Sequence, residues 1–242
     1  MKVATHGEHL VQLTQRTPLF PVNCYLVRED DGLTVVDTGL SGIAPAMLST
    51  VRALGAPILR IALTHSHIDH VGSLDALHAA LPGAEVIIST REAPLLAGNM
   101  ALEAGEPGTK VRGGFTKVTT RPTRLVTPGE RIGSLCVIAS PGHTPGHIAF
   151  LDERDGALLA GDAFATFTST IVSGTWRMRF PFSAIATWDK PTALATARAL
   201  RALNPSRLAV GHGPVLTNPG TAMDAAIAEA ARRLREGSAH AA

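Results

Sequence analysis

Aromatic residues are scarce in this chain of 242 residues, which holds seven Phe, two Trp and a single Tyr. Cysteine is scarcer still: only Cys24 and Cys136 are present. Two cysteines exclude a disulfide framework, and each lies in an apolar, strand-like run, so both are expected to be buried free thiols. No apolar run approaches the roughly 20 residues of a spanning helix, and residues 1–10 lack the apolar core of a signal peptide. The expectation is a cytoplasmic protein with no membrane partner. Charge is sparse as well, and a formal net charge of +2 leaves no electrostatic footprint for nucleic acid. Gly-x-Ser-x-Gly is absent, which removes one common signature of serine hydrolases. No repeat of 20–50 residues is visible.

What is present is a globular composition. Hydrophobic residues make up 45% of the chain and charged ones 17%, enough apolar surface for a sizeable core and too much for disorder. Residues 1–242 are expected to form one domain. Apolar alternation predicts strands over 9–16, 22–28, 33–36, 58–63, 85–89, 135–139, 148–151, 157–159 and 207–210, with Pro18 and Pro21 marking the first link. Helical stripes run through Ile43, Met47, Val51 and Leu54, then through Val71, Leu74, Leu77 and Leu81. Further helices are expected around 91–97, from an Asp189 cap to about 203, and along Met223, Ile227, Ala230 and Leu234. Ser41 or Gly42 is the expected cap of the first. Periodicity alone supports α/β or α+β. Between 98 and 129 the pattern dissolves into Gly, Pro and Thr with five scattered basic residues, which reads either as a lid or as a solvated basic surface.

Against this background one stretch stands out: Thr64-His65-Ser66-His67-Ile68-Asp69-His70. It follows a buried strand, and the two-residue spacing of His65 and His67 aims both imidazoles the same way on extended backbone. Asp69 and His70 follow after a turn. Imidazole and carboxylate together suit zinc or another first-row divalent metal. Three more potential ligands sit beside glycines at later strand ends: His143, Asp162 and His212. Asp37, in Asp37-Thr38-Gly39, is either a turn cap or an anchor for the histidine stretch.

The order His-x-His-x-Asp-His, Pro-Gly-His, Gly-Asp and Gly-His-Gly resembles the metallo-β-lactamase-fold hydrolase superfamily, over residues 20–215. That resemblance implies an αββα sandwich, two mixed β-sheets flanked by helices. It implies two Zn²⁺ per chain, with Fe or Mn as alternatives. His65, His67 and His143 would hold one metal, Asp69, His70 and His212 the other, and Asp162 would bridge them. Asp37 and His147 would support the ligands from behind. A hydroxide between the metals would attack an ester, lactone or thioester, with Asp69 steering its proton. The alternatives are a mononuclear iron oxygenase of the persulfide dioxygenase kind and a non-catalytic scaffold that retains the fold.

The resemblance leaves the substrate open, because function lies in the loops. Lactonases of this superfamily carry a tyrosine shortly after the bridging aspartate, whereas here Ala163-Phe164-Ala165-Thr166 follows and the sole tyrosine is Tyr25. The stretch 164–188 holds six aromatics: Phe164, Phe167, Trp176, Phe180, Phe182 and Trp188. It is read either as an apolar pocket wall for a small-molecule substrate or as core and homodimer contact.

Overall fold

The computed structural model describes residues 1–17, 19–108 and 110–239, so Pro18 lies outside the described residues. A seven-stranded sheet runs in spatial order through β1 (Lys2–His6), β2 (Leu10–Arg16), β3 (Pro21–Glu29), β4 (Gly32–Val36), β5 (Ile58–Ala62), β6 (Glu85–Ser89) and β7 (Arg124–Val126). Its first four strands pair antiparallel and its last four parallel, so the sheet is mixed. A six-stranded sheet contains β8 (Arg131–Ile132), β9 (Leu135–Ala139), β10 (Ile148–Asp152), β11 (Ala157–Leu159), β14 (Arg207–Ala209) and β15 (Leu216–Thr217). Within it only β11 and β14 are parallel. A two-stranded ribbon, β12 (Phe164–Ala165) and β13 (Ile171–Val172), stands apart. The helices are α1 (Ala44–Leu54), α2 (Ile68–Val71), α3 (Leu74–Ala80), α4 (Glu92–Leu96), α5 (Phe182–Ala186), α6 (Lys190–Ala202) and α7 (Gly220–Ala239).

Side-chain alternation explains the layering. On β3, Tyr25 and Val27 point into the space between the sheets, while Cys24 and Leu26 point outward toward helices. Ile87 on β6 and Phe150 on β10 face inward; Val86, Ile88 and Ala149 face outward. Both faces of each sheet are buried, which is why the strands read as near-continuous apolar runs. Residues of α1, α3 and α4 cover the larger sheet, and residues of α6 and α7 cover the smaller. The result is the expected αββα sandwich. No helix among the described residues is long and apolar enough to cross a membrane.

Most predicted elements are present, including the Asp189 cap, whose carboxylate accepts Thr192 N–H at 2.9 Å. The missed short strands share a cause. β7, β8, β12, β13 and β15 have two or three residues each and exist through pairing with a neighbour rather than through a pattern of their own. β1 is a largely exposed edge strand. The stripe beginning at Val71 divides into α2 and α3. Neither Ser41 nor Gly42 caps α1; Ile43 holds that position, and its N–H donates to Ser73 Oγ at 3.1 Å.

Candidate metal centre

Parallel neighbours bring the potential ligands to one rim. β4 and β5 lie side by side, so Asp37 follows one strand beside the histidine stretch that follows the other, and Asp37 N–H donates to Ala62 O at 3.0 Å. β11 and β14 do the same for Asp162 and His212, with Gly211 N–H on Gly161 O at 2.9 Å. The β9–β10 turn delivers His143. Gly211 must be glycine: a Cβ there would lie 2.1 Å from Asp162 Oδ1.

All seven predicted ligands meet. His65, His67 and His143 form one group of donor atoms; Asp69, His70 and His212 form another; His65, His70 and Asp162 form a third that overlaps both. Asp162 reaches across, with Oδ2 3.4 Å from His143 Nε2 and 3.1 Å from His212 Nε2, and Oδ1 3.3 Å from His70 Nε2.

Hydrogen-bond bookkeeping tests whether a cation fits. Carbonyls and carboxylates only accept, so each imidazole proton can be placed from its partner. His67 Nε2 donates to Arg112 O at 2.9 Å, His212 Nδ1 to Pro21 O at 2.8 Å, and His70 Nδ1 to Asp37 Oδ2 at 2.7 Å. Thr64 gives its hydroxyl proton to Asp37 Oδ2, so the 3.0 Å contact at Thr64 Oγ1 takes its proton from His65 Nδ1. A longer relay fixes His143. Thr187 donates to Ser183 O at 2.6 Å, Ser173 therefore donates to Thr187, and His143 Nδ1 donates to Ser173 Oγ at 2.8 Å. His65, His67 and His143 thus each turn a bare nitrogen toward the centre, while His212 Nε2 lies 3.1 Å from Asp162 Oδ2. His65 Nε2, His67 Nδ1 and His143 Nε2 crowd within 2.9–3.1 Å contacts with no proton left to share. His70 Nε2 and Asp162 Oδ1 are buried without any hydrogen-bond partner. Converging lone pairs and orphaned buried acceptors are what a divalent cation satisfies, so the residues fit one.

The two halves of the site differ electrostatically. Burial, reinforced by neighbouring imidazoles, pushes the His65 and His143 pKa values well down and so favours neutral ligands. Burial also opposes charge on His70, but the Asp162 and Asp37 carboxylates outweigh it and push its pKa well up. Positive charge is drawn to that half. A bound cation meets the same demand.

His147 does not face the centre. Its Nε2 accepts the Asp162 N–H at 3.1 Å and its Nδ1 donates to Ser140 Oγ at 2.7 Å, so it positions the backbone of Asp162. Asp37 likewise acts from behind, accepting Thr64 N–H at 2.8 Å as well as His70.

Other participants carry no signal in the sequence. Glu92, fully buried at the start of α4, accepts from Ser66 N–H and Oγ at 2.9 and 2.6 Å and from Thr144 Oγ1 and Gly146 N–H at 2.7 and 3.1 Å. One carboxylate therefore ties the histidine stretch to the His143 turn. Burial raises its pKa, and the four donors pull it back. Asn23 and Tyr25 brace the His212 loop: Asn23 Nδ2 donates to Val210 O and Gly213 O, and Tyr25 OH bridges the carbonyl and N–H of Val210. The sole tyrosine is thus spent on structure.

The 98–129 stretch divides between its two readings. Lys110, Arg112, Lys117 and Arg121 are exposed. The backbone of 112–115, in contrast, walls the site: Arg112 O takes the His67 proton, Gly114 O takes Ile68 N–H, and the Phe115 ring lies 4.8 Å from that of His67. The aromatic stretch also divides. Phe164 is core, Trp188 is buried, Trp176 is 51% exposed, and Phe180 and Phe182 line the cavity over the ligands.

An αββα sandwich that gathers seven histidine and aspartate donors on one rim has a donor set suited to metal ions. The profile of the metallo-beta-lactamase superfamily matches residues 17–212, and the chain belongs to that superfamily. YobT of Bacillus subtilis strain 168 is 48% identical over 227 residues, 93% of this chain and 97% of YobT. YflN of the same strain, named a probable metallo-hydrolase, is 27% identical, covering 88% of this chain and 87% of YflN. Among solved structures, TTHA1623, crystallised in a di-iron-bound form, superposes with a TM-score of 0.64 at 29% identity over 87% of this chain and 96% of that one.

Proposed function

We propose that the protein is a dinuclear metallohydrolase that adds water across an ester, lactone or thioester bond of a small molecule. The observation that carries this reading is the span of Asp162, whose carboxylate oxygens approach His143 in one nitrogen group and His70 and His212 in the other. His65, His67 and His143 would hold one zinc ion, and Asp69, His70 and His212 would hold the second. Bound there, the ions supply an acidified water and a Lewis acid for the substrate carbonyl. Asp69, with Oδ2 3.3 Å from His212 Nε2, lines the cavity and is placed to accept the proton of the attacking water and return it to the leaving group. Phe20, Phe180 and Phe182 line the same cavity as that carboxylate. Unpaired Cys24 and Cys136 suit the reducing cytoplasm.

Iron is the second reading of the metal, favoured by the di-iron form of TTHA1623. Plasma mass spectrometry on protein purified without chelators decides between them. About two zinc ions per chain support the proposal. One iron per chain, with oxygen uptake on thiol or persulfide substrates, overturns it. Asp162→Ala should lose the second ion and most turnover; full activity with two ions retained would sink the dinuclear assignment.

A further inference from the structure

The cavity above the ligands is about 220 Å³, and its upper wall is apolar: Phe20, Leu40, Ile68, Phe180, Phe182 and Ala186. The Phe20 ring packs 4.9 Å from Phe182 and 5.4 Å from Phe180, and both Phe20 and Phe180 lie about 5 Å from the His212 ring. The wall therefore begins at the metal ligands themselves. It continues to the surface, because Ile68 and Phe182 are 41% and 39% exposed and Ile185, three residues on from Phe182 along α5, is 57% exposed.

Among the described residues no lysine or arginine lines this cavity, whereas Asp69 and Asp162 do. A carboxylate at the far end of the acyl group would lie against Phe20, Phe180 and Phe182 and lose its hydration there without a side-chain cation among the described lining residues to pair with it. An alkyl chain meets only apolar surface. The cavity has the volume of about seven waters at roughly 30 Å³ each, and a methylene takes similar space. A larger hollow of about 480 Å³ on the other side of Phe20 is lined by Lys2, His6, Gln12 and Thr14 among others, and no ligand residue faces it.

Resting on the hydrolase reading above, we infer that the acyl half of the substrate is an uncharged apolar group of about six carbons, seated along Phe20, Phe180 and Phe182. In the reaction the acyl C–O or C–S bond breaks. Water gives its hydroxyl to the acyl carbon and its remaining proton to the departing alcohol or thiol.

The test uses the metal-loaded full chain and p-nitrophenyl esters from acetyl to decanoyl, with the mono-ester of adipic acid as the carboxylate-ended match for hexanoyl. The expected kcat/KM rises roughly three- to fourfold per methylene up to about six carbons and then levels. The adipoyl ester should fall at least about tenfold below hexanoyl. Phe182→Ala should flatten the chain-length slope, and Phe182→Arg should raise the adipoyl-to-hexanoyl ratio. Turnover with no chain-length slope, or with adipoyl matching hexanoyl, overturns this inference and leaves the hydrolase reading standing. No turnover of any ester, thioester or lactone overturns both.

Discussion

The Asp37 carboxylate receives Nδ1–H of His70 at 2.7 Å from the far side of the imidazole, and so decides which nitrogen His70 shows to the metal site. Asp37 does this from a left-handed backbone, φ 61°, with its other bonds going to Thr64. Asparagine tolerates that conformation, so Asp37→Asn isolates the carboxylate's role from backbone strain. Affinity for the second cation should fall roughly 10–100-fold in chelator competition. Wild-type affinity in this variant would remove Asp37 from the machinery.

Ser173 and Thr187 make a second prediction. Ser173→Ala leaves His143 Nδ1 with only Thr187 Oγ1 at 3.3 Å, and affinity for the first cation should weaken about tenfold, the low end of such effects. Thr187→Ser keeps the relay and should bind normally. Thr187→Val frees the Ser173 proton to point back at His143, which favours the tautomer with its proton on Nε2. Imidazole nitrogen NMR on the metal-free protein reads that change directly; an unchanged tautomer would break the relay argument.

Gly113 sits at φ 106°, and a Cβ there would lie 2.0 Å from His67 Nε2. Gly113→Ala should therefore push the loop off His67 and break the bond to Arg112 O. Global stability should change by no more than about 1–3 kcal/mol, because the strain is local. Cation affinity should drop with it, alongside faster amide exchange at Ile68, whose N–H the same loop accepts. A variant with normal exchange and affinity would show that the loop wall is dispensable.

Acid and base should act on the metal-free protein through His212. Burial opposes its charge, but Asp162 and Asp69 outweigh burial and raise its pKa to about 10. With the folded value raised, this contact stabilises the fold fully below the ordinary imidazole value of 6.5 and is lost as pH rises through about 10. The stability gap between chelated wild type and chelated His212→Asn should therefore shrink between those limits. Cation binding near pH 8 must also expel that proton, which calorimetry in buffers of different ionisation heat will detect. A gap independent of pH would refute the assignment.

Much of the fold was legible because two-sided burial writes itself into composition. The runs that became β3, β5, β6 and β10 could hardly be anything but buried strands. The seven donors were legible for another reason: a His-x-His-x-Asp-His stretch and three glycine-flanked ligands have no inexpensive structural explanation. The strands of two or three residues were not legible, since so short a run holds no period, and neither were the exposed edge strand β1 and the division of α2 from α3. Glu92 and Asn23 were invisible because a buried Glu or Asn looks like any surface one until its donors or acceptors arrive from elsewhere.

By itself, the sequence determined which side chains can bind a cation and that they stand at strand ends, because ligand chemistry and strand periodicity are local properties. Tertiary structure alone decided which nitrogen each imidazole presents. That choice rests on Arg112 O, Pro21 O, Asp37 and the Ser173–Thr187 relay, and carbonyls carry no residue-type signal. It also decided that Phe180 and Phe182 face the ligands while Phe164 fills the core and Trp176 meets solvent. All four are aromatic in sequence; only the packing of α5 and the β12–β13 ribbon against Phe20 and the sheets separates their roles.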